Sequence, residues 1–435
     1  MPLLLGIDVG GTFLKGSVLD TDSKTTGLVV RSKGPDLKFS ADGEVTLDPV
    51  ALLEAVTRLI RGLIGDGRIY SGILVTGQMH GFVMVDDDGL ARTDVVTWRD
   101  GLRVGGGVTE SSAMLRQRLS HQTLVEVGNE LREGIPLAGI FTRLSLGSRF
   151  EGLTPHSLIS FITHGLCNEY GDTVMHNSDA AAHGFLNLYT NDWHHLLLDE
   201  CGINGLRLPR VTTSLEKVGK CLNTGLPVYV GVGDHQAALY GVGLKEGELS
   251  LNIATGSQVS VISKEISLTG QTRPYFADKF LSTVTHIPAG RSLNVLLRLV
   301  GELTNKADDE LWEEIGLACE VQAPTELRMA LSFFTNAQGS EGYIKNIRDN
   351  EFNVGSLFNS AVLAMAENYD HFARILFNGS IPQNIVLSGG LVSRFQPLHR
   401  EIFDKFRASK IREVPSEDSS IAGLLRLANT EWLSM

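Results

Sequence analysis

The chain has 435 residues, 43% hydrophobic and 20% charged, which is too long for one ordinary core and far from the composition of a disordered chain. Lys and Arg number 38 against 50 Asp and Glu, so the net charge of −12 supplies no general positive field for nucleic acid or anionic lipid. Cys167, Cys201, Cys221 and Cys319 form no Cys-x-x-Cys pair and no apolar run nears the ~18 residues of a membrane span, which argues against a zinc site, a disulfide framework or a membrane partner.

The apolar start, Met1 to Ile7, meets Asp8 too early for a signal sequence, so a cytoplasmic protein with reduced thiols is expected. Leu3 to Asp8, the turn Gly10-Gly11-Thr12 and the apolar residues Leu14, Val18 and Leu19 predict a β-hairpin. Glycines in such a turn leave backbone N–H groups free to face phosphate oxygens, while Thr12 and Lys15 add a hydroxyl and a cation. Asp8 at the strand end suits a magnesium ion held through water; an ordinary hairpin with an exposed Asp is the alternative. Val50, Leu53, Val56, Leu59 and Ile60 predict an amphipathic helix over Pro49 to Gly62, and Ile73 to Thr76 reads as a strand.

Thr76-Gly-Gln-Met-His-Gly81 and Val96-Thr-Trp-Arg-Asp-Gly101 set the amide of Gln78, Met79, the imidazole of His80, the indole of Trp98 and the carboxylate of Asp100 beside glycines at strand ends. Polyol recognition needs such bidentate donors and acceptors beside a flat apolar wall. Singly, His80 reads equally as a satisfied core histidine and Asp100-Gly101 as a routine turn. In Val230-Gly-Val-Gly-Asp-His-Gln-Ala-Ala238 a strand gives way to a helix at Asp234, which reads as an N-cap, as a base that accepts the proton of a substrate hydroxyl, or as both.

The glycine-rich stretch Gly241 to Gly247 is the expected boundary between domains 1–246 and 247–435. Leu249 to Ile253, the turn Thr255-Gly256-Ser257 and Val259 to Ile262 repeat the first hairpin and point to an internal duplication. Ala361 to Phe377 and Pro397 to Phe406 are predicted helices and Asn384 to Leu387 a predicted strand, so both halves alternate strands and helices as α/β units with mixed sheets do. In Ile385-Val-Leu-Ser-Gly-Gly-Leu-Val-Ser-Arg394 the paired glycines admit either a nucleotide or a tightly packed helix.

In this order the motifs resemble those of the FGGY carbohydrate kinases, part of the superfamily that includes actin, hexokinase and the heat-shock ATPases. The likeness spans nearly the whole chain, taking in Pro155-His156 to Asp179-Ala180, Leu208-Pro209 and Ser416 to Gly423. It implies two actin-like (ribonuclease H-like) α/β domains with a central cleft, the first binding sugar and the second nucleotide, and ATP and Mg²⁺ as cofactors; a phosphate loop in each half further predicts that the domains close on ligand. By position, Asp234 would be the catalytic base and Asp8 the carboxylate near magnesium. Gly10, Gly11, Thr12, Lys15, Thr255 and Gly256 would contact phosphate. Gln78, Met79, His80, Trp98 and Asp100 would line the sugar site, and Gly389, Gly390 and Ser393 would lie against adenosine.

Gly77-Gln-Met-His-Gly81 is similar to xylulokinases, whereas Val96 to Gly101, Gly233-Asp-His-Gln-Ala237 and Leu251 to Thr255 look closer to sedoheptulokinases. Sedoheptulose is therefore the expected acceptor, with Arg99, His235 and Gln236 as candidates for its distal hydroxyls; xylulose or another pentulose or polyol is the alternative. Arg394 stands where many members of the family carry a small or amide residue, which leaves nucleotide preference open; the second half is shorter than is usual, and Gly339-Ser-Glu-Gly342 matches the family's Gly-Glu-Arg element only loosely, so a surface insertion or part of the cleft wall is expected to be absent. The opening motif is shared with the ROK sugar kinases, whose cysteine-rich zinc motif is absent here. A degenerate kinase fold that senses a sugar is the non-enzymatic alternative, and a homodimer is the candidate assembly.

Overall fold

The computed structural model describes residues 3–430 except 12, 66, 105–109, 269, 303, 323–324, 335–338, 340 and 416. Thr12 of the first turn, Ser340 and Ser416 thus lie outside the described residues. The chain divides into two compact units, one of Met1–Gly243, Lys264–Leu281 and Asp418–Met435, the other of Leu244–Ser263 and Ser282–Glu417. The expected boundary at 246/247 lies beside the first crossing from one unit to the other. Two later segments, 264–281 and 418–435, return to the first unit.

In the first unit, strands β1 (Leu3–Val9) and β2 (Phe13–Asp20) form the predicted antiparallel hairpin, with Asp8 paired to Lys15. Helix α1 (Pro49–Leu63) follows, started by Asp48, whose carboxylate accepts from the Ala51 N–H, and by Pro49, which lacks the N–H that a first helical residue leaves unpaired. Its buried face, Leu52, Val56, Leu59, Ile60 and Leu63, packs into a core with Leu5, Ile7, Ile73, Val75, Ile159 and Ile162. Strand β3 (Tyr70–Gly77) runs parallel to β1. A second core in the same unit gathers Phe82, Met84, Ile140, Phe185 and Trp193 beside a five-stranded sheet. Strand β4 (Val232–Gly233) lies parallel to β3 and leads into α2 (Asp234–Gly241).

The second unit repeats the pairing. Strands β5 (Glu248–Ile253) and β6 (Ser257–Ser263) form an antiparallel hairpin. Helix α3 (Val354–Leu376), opened by a capping box between Asn353 and Ser356, precedes β7 (Asn384–Ser388), which lies parallel to β5, and β8 (Lys410–Glu413), parallel to β7. Leu249, Leu251, Val259, Phe358, Met365, Tyr369 and Leu387 fill this core, in which Ser257 Oγ and Tyr369 Oη are hydrogen-bonded at 2.8 Å. A hairpin whose first strand pairs in parallel with a later strand thus occurs once in each unit, giving the α/β class with duplicated mixed sheets flanked by helices.

The last helix, α4 (Ser419–Ala428), returns to the first unit and packs on α2 through two glycines. A Cβ on Gly241 would stand 1.9 Å from Ser419 O, and one on Gly423 1.9 Å from Ala237 O, so nothing larger permits this approach. Among the described residues no helix is long and apolar enough to cross a membrane.

Candidate active site

The registers of the first unit set three strand ends in one row. Val9 of β1 pairs with Gly77 of β3, and Gly77 pairs with Gly233 of β4. The residues that follow, Gly10-Gly11, Gln78-Met79-His80 and Asp234, therefore emerge together at the carboxyl ends of parallel strands, where open α/β sheets place their ligands. The Gln78 N–H donates to Val9 O at 2.9 Å. A Cβ on Gly11 would lie 2.9 Å from Gln78 Oε1 and 3.7 Å from Trp98 Nε1, so the glycine lets an amide and an indole approach the turn. Gly10, Gly11, Gln78, Trp98 and Arg99 line one recess, and the exposed Arg99 guanidinium lies 5.4 Å from the Trp98 ring centroid. His80 is held at a φ of 62°, a strained conformation for a residue with a Cβ.

Two buried carboxyls stand at this end of the sheet. Asp8 Oδ2 accepts from Ser420 Oγ at 2.6 Å and lies 3.7 Å from Lys15 Nζ; burial raises its pKa against the opposing effects of Ser420 and Lys15. Lys15 is also 3.6 Å from Asp418, which in turn binds Arg31 at 2.7 Å. Asp234 is the first residue of α2, and Gly233, in extended conformation, occupies the N-cap. The N-cap reading of Asp234 is thereby corrected: its Oδ1 accepts from the adjacent His235 N–H at 2.7 Å, a group at the helix entry, rather than from a later turn. Burial, then the charge of Asp8, pushes the Asp234 carboxyl up to about 7. Asp179, on the short helix Asn177–Ala180, is likewise pushed up to about 7 by burial; Ser157 Oγ donates to its Oδ2 at 2.5 Å, and its buried Oδ1 has no partner.

Asp100, expected at the sugar, is buried in an ion pair: Arg143 reaches its Oδ2 at 2.8 Å and its Oδ1 at 3.3 Å, and the Val45 N–H donates to Oδ1. With both oxygens held by protein groups it supports the wall of the unit. Of the groups assigned to distal hydroxyls, Gln236 is 0% exposed and donates to Pro274 O, and His235 is buried against Arg273; Arg99 alone of the three is exposed.

In the second unit Thr255 and Gly256 are exposed at the tip of the β5–β6 turn, which is anchored by the Gly290 and Arg291 N–H groups donating to Ala254 O and Thr255 O. The paired glycines divide the two readings given to them. Gly389, at a φ of 113°, is buried where a Cβ would stand 2.1 Å from Ile253 O, a requirement of packing. Gly390 has open space around it, and Ser393 is exposed, with its Oγ donating to Gly390 O.

No family model matches the chain. A xylulose kinase of Lactococcus lactis is 27% identical over 289 residues, 61% of this chain and 54% of that protein. The human sedoheptulokinase is 24% identical over 374 residues, 75% of each. The crystal structure of a xylulose kinase from Rhodospirillum rubrum superposes with a TM-score of 0.84 at 19% identity, covering 100% of this chain and 92% of that one. These likenesses are to carbohydrate kinases, and the solved structure shows that the chain shares their fold. The chain spans 54%, 61% and 63% of the length of three xylulose kinases that it matches.

Several residues that bear on the site escaped sequence reasoning. Ser420 and Asp418 were legible only as part of a C-terminal motif, whereas the structure sets them on Asp8 and Lys15. Glu130 and Arg273 form a buried pair at 2.5 and 2.8 Å beside His80 and His235, although 143 positions separate them. Neither stands in a glycine motif, so no local signal marks them.

Proposed function

We propose that this chain is an ATP-dependent carbohydrate kinase that phosphorylates a hydroxyl of a ketose. The observation that carries the reading is Asp234: a buried carboxyl at the first turn of α2, raised to about 7 by burial and by Asp8, in the row of strand ends that also bears the first glycine turn and Gln78. A base with that affinity suits neutral pH, where it takes the proton of the sugar hydroxyl as the oxygen attacks the terminal phosphorus and the bond to ADP breaks.

In this reading Gly10, Gly11 and Lys15 are the phosphate-binding groups of the first unit, and Thr255, Gly256, Gly390 and Ser393 are the nucleotide-binding candidates of the second. Gln78, Met79, His80 and Trp98 line the sugar. Asp8 is the residue that would hold Mg²⁺ through water. The fit rests on its buried carboxyl, which a cation would relieve. Magnesium would neutralise charge on the phosphates.

For the sugar, sedoheptulose and xylulose stand level. The motifs favour the former, but the burial of Gln236 and His235 removes two of the three groups invoked for a longer chain. ADP release with mass analysis of the product, across sedoheptulose, xylulose, ribulose and glycerol, tests both levels. A phosphorylated ketose is expected; sugar binding with no phosphorylated product would replace the kinase with the sensor reading. A tenfold advantage in kcat/KM for either ketose decides between them.

A further inference from the structure

Glu130, Arg273, His80 and His235 form a buried group next to α2 in the first unit. Arg273 stands on the strand Gln271–Tyr275, within the returning segment, which is fastened by the Thr272 N–H donating to Gly128 O at 2.9 Å and by Asn129 Nδ2 donating to Gly270 O at 3.2 Å. Its Nε donates to Glu130 Oε2 at 2.8 Å and its Nη2 to Glu130 Oε1 at 2.5 Å, a bidentate pairing. The rest of the guanidinium faces the site residues. Nη1 donates to His235 Nδ1 at 3.0 Å and contacts Met79 Sδ at 3.8 Å, and Nη2 reaches His80 Nε2 at 3.4 Å.

A guanidinium has no acceptor and keeps its protons, so His235 Nδ1 must be the acceptor and the ring proton sits on Nε2. His80 is not fixed in this way: its Nδ1 is 3.0 Å from Ala182 O, and its Nε2 lies 3.2 Å from Glu130 Oε1 as well as 3.4 Å from Arg273 Nη2, so it faces both an acceptor and a donor. The guanidinium therefore sets the tautomer of His235. Burial and the Arg273 charge hold His235 down at about 3, so its ring is neutral at neutral pH; burial also lowers His80, against the opposing effect of Glu130. The constraint continues to the base, because the main-chain N–H of His235 donates to Asp234 Oδ1 at 2.7 Å.

We propose that the Glu130–Arg273 pair is a positioning device for the sugar site, fixing the tautomer of His235 and, through His235, the orientation of the Asp234 carboxylate. Its link to turnover rests on the kinase reading; its link to the tautomer does not. The test uses the full chain labelled with ¹⁵N-histidine, with a His235→Gln spectrum to assign the signal. In the unmodified protein His235 should show an unprotonated Nδ1 and a protonated Nε2, unchanged between neutral and mildly acidic pH. In Arg273→Met the two tautomers should mix, and kcat should fall ~10- to 100-fold while KM for nucleotide stays within about twofold. Arg273→Lys should fail to restore the tautomer, since one ammonium cannot reproduce the planar fork.

If Arg273→Met does not fold because Glu130 loses its bidentate partner, Glu130→Leu/Arg273→Met removes both members of the pair and is read in the same way. A His235 that keeps its tautomer in the folded variant, or a kcat within twofold of the unmodified protein, overturns the proposal. An unmodified protein that phosphorylates no sugar overturns the kinase reading instead, and the spectra still decide the tautomer claim.

Discussion

Asp234 and Asp179 are carboxyls of the same kind held near the same value, about 7, chiefly by burial. If Asp234 is the base, it works deprotonated, so kcat/KM should rise with pH through about 7 and fall about tenfold per unit well below it; a pH profile reads this directly. Asp234→Asn should lower kcat by ~10²- to 10⁴-fold without loss of thermal stability at pH 8, since no N-cap bond is removed. Asp179 allows a test of linkage. Its folded value lies above the unfolded 3.8, so its contribution is fully present below that value and is lost as pH rises through about 7. Asp179→Asn should therefore stabilise the protein at pH 8, by at most roughly 4 kcal/mol, and have little effect at pH 4. Thermal melts at the two pH values give the comparison, and an equal shift at both would remove burial of charge as the cause.

Helices α2 and α4 are brought together by the absence of side chains at Gly241 and Gly423, and that contact carries Ser420 to Asp8. Gly423→Ala would put a methyl into the Ala237 carbonyl and force the helices apart, costing about 1 to 3 kcal/mol and leaving Asp8 without its hydroxyl donor. Melting temperature and kcat should fall together. Gly316, within the helix Asp308–Val321 and with open space around it, is the control: Gly316→Ala should raise stability by about 0.5 to 1 kcal/mol. If both variants behaved alike, helix propensity rather than close approach would govern the effect.

At the scale of the molecule, the first unit is assembled from three separate stretches of chain, and its last stretch begins at Asp418. Ending the chain at Glu417 should loosen the first unit selectively. Amide exchange is expected to speed up in the β1–β2 hairpin and in α2, which lose α4, while β5 and β7, in a different core, keep their protection. Uniform loss of protection across both units would mean that the chain unfolds as one cooperative block.

The elements were legible in the sequence wherever the cause is local. The apolar spacing of α1, its Asp48-Pro49 start, both glycine hairpins and the strand before Gly389 follow from periodicity and turn chemistry, which act over a few residues. So did the candidate motifs themselves, each marked by glycines that leave backbone exposed. What no local pattern carries is which motifs meet and what each polar group touches. Val9, Gly77 and Gly233 share a row only because of strand register. Asp100, indistinguishable in sequence from a site carboxylate, is claimed by Arg143. Ser420 reaches Asp8 across 412 positions, and Arg273 reaches Glu130 across 143. Hydrogen bonds and burial depend on distance in space, and the path of the chain in three dimensions alone sets that distance.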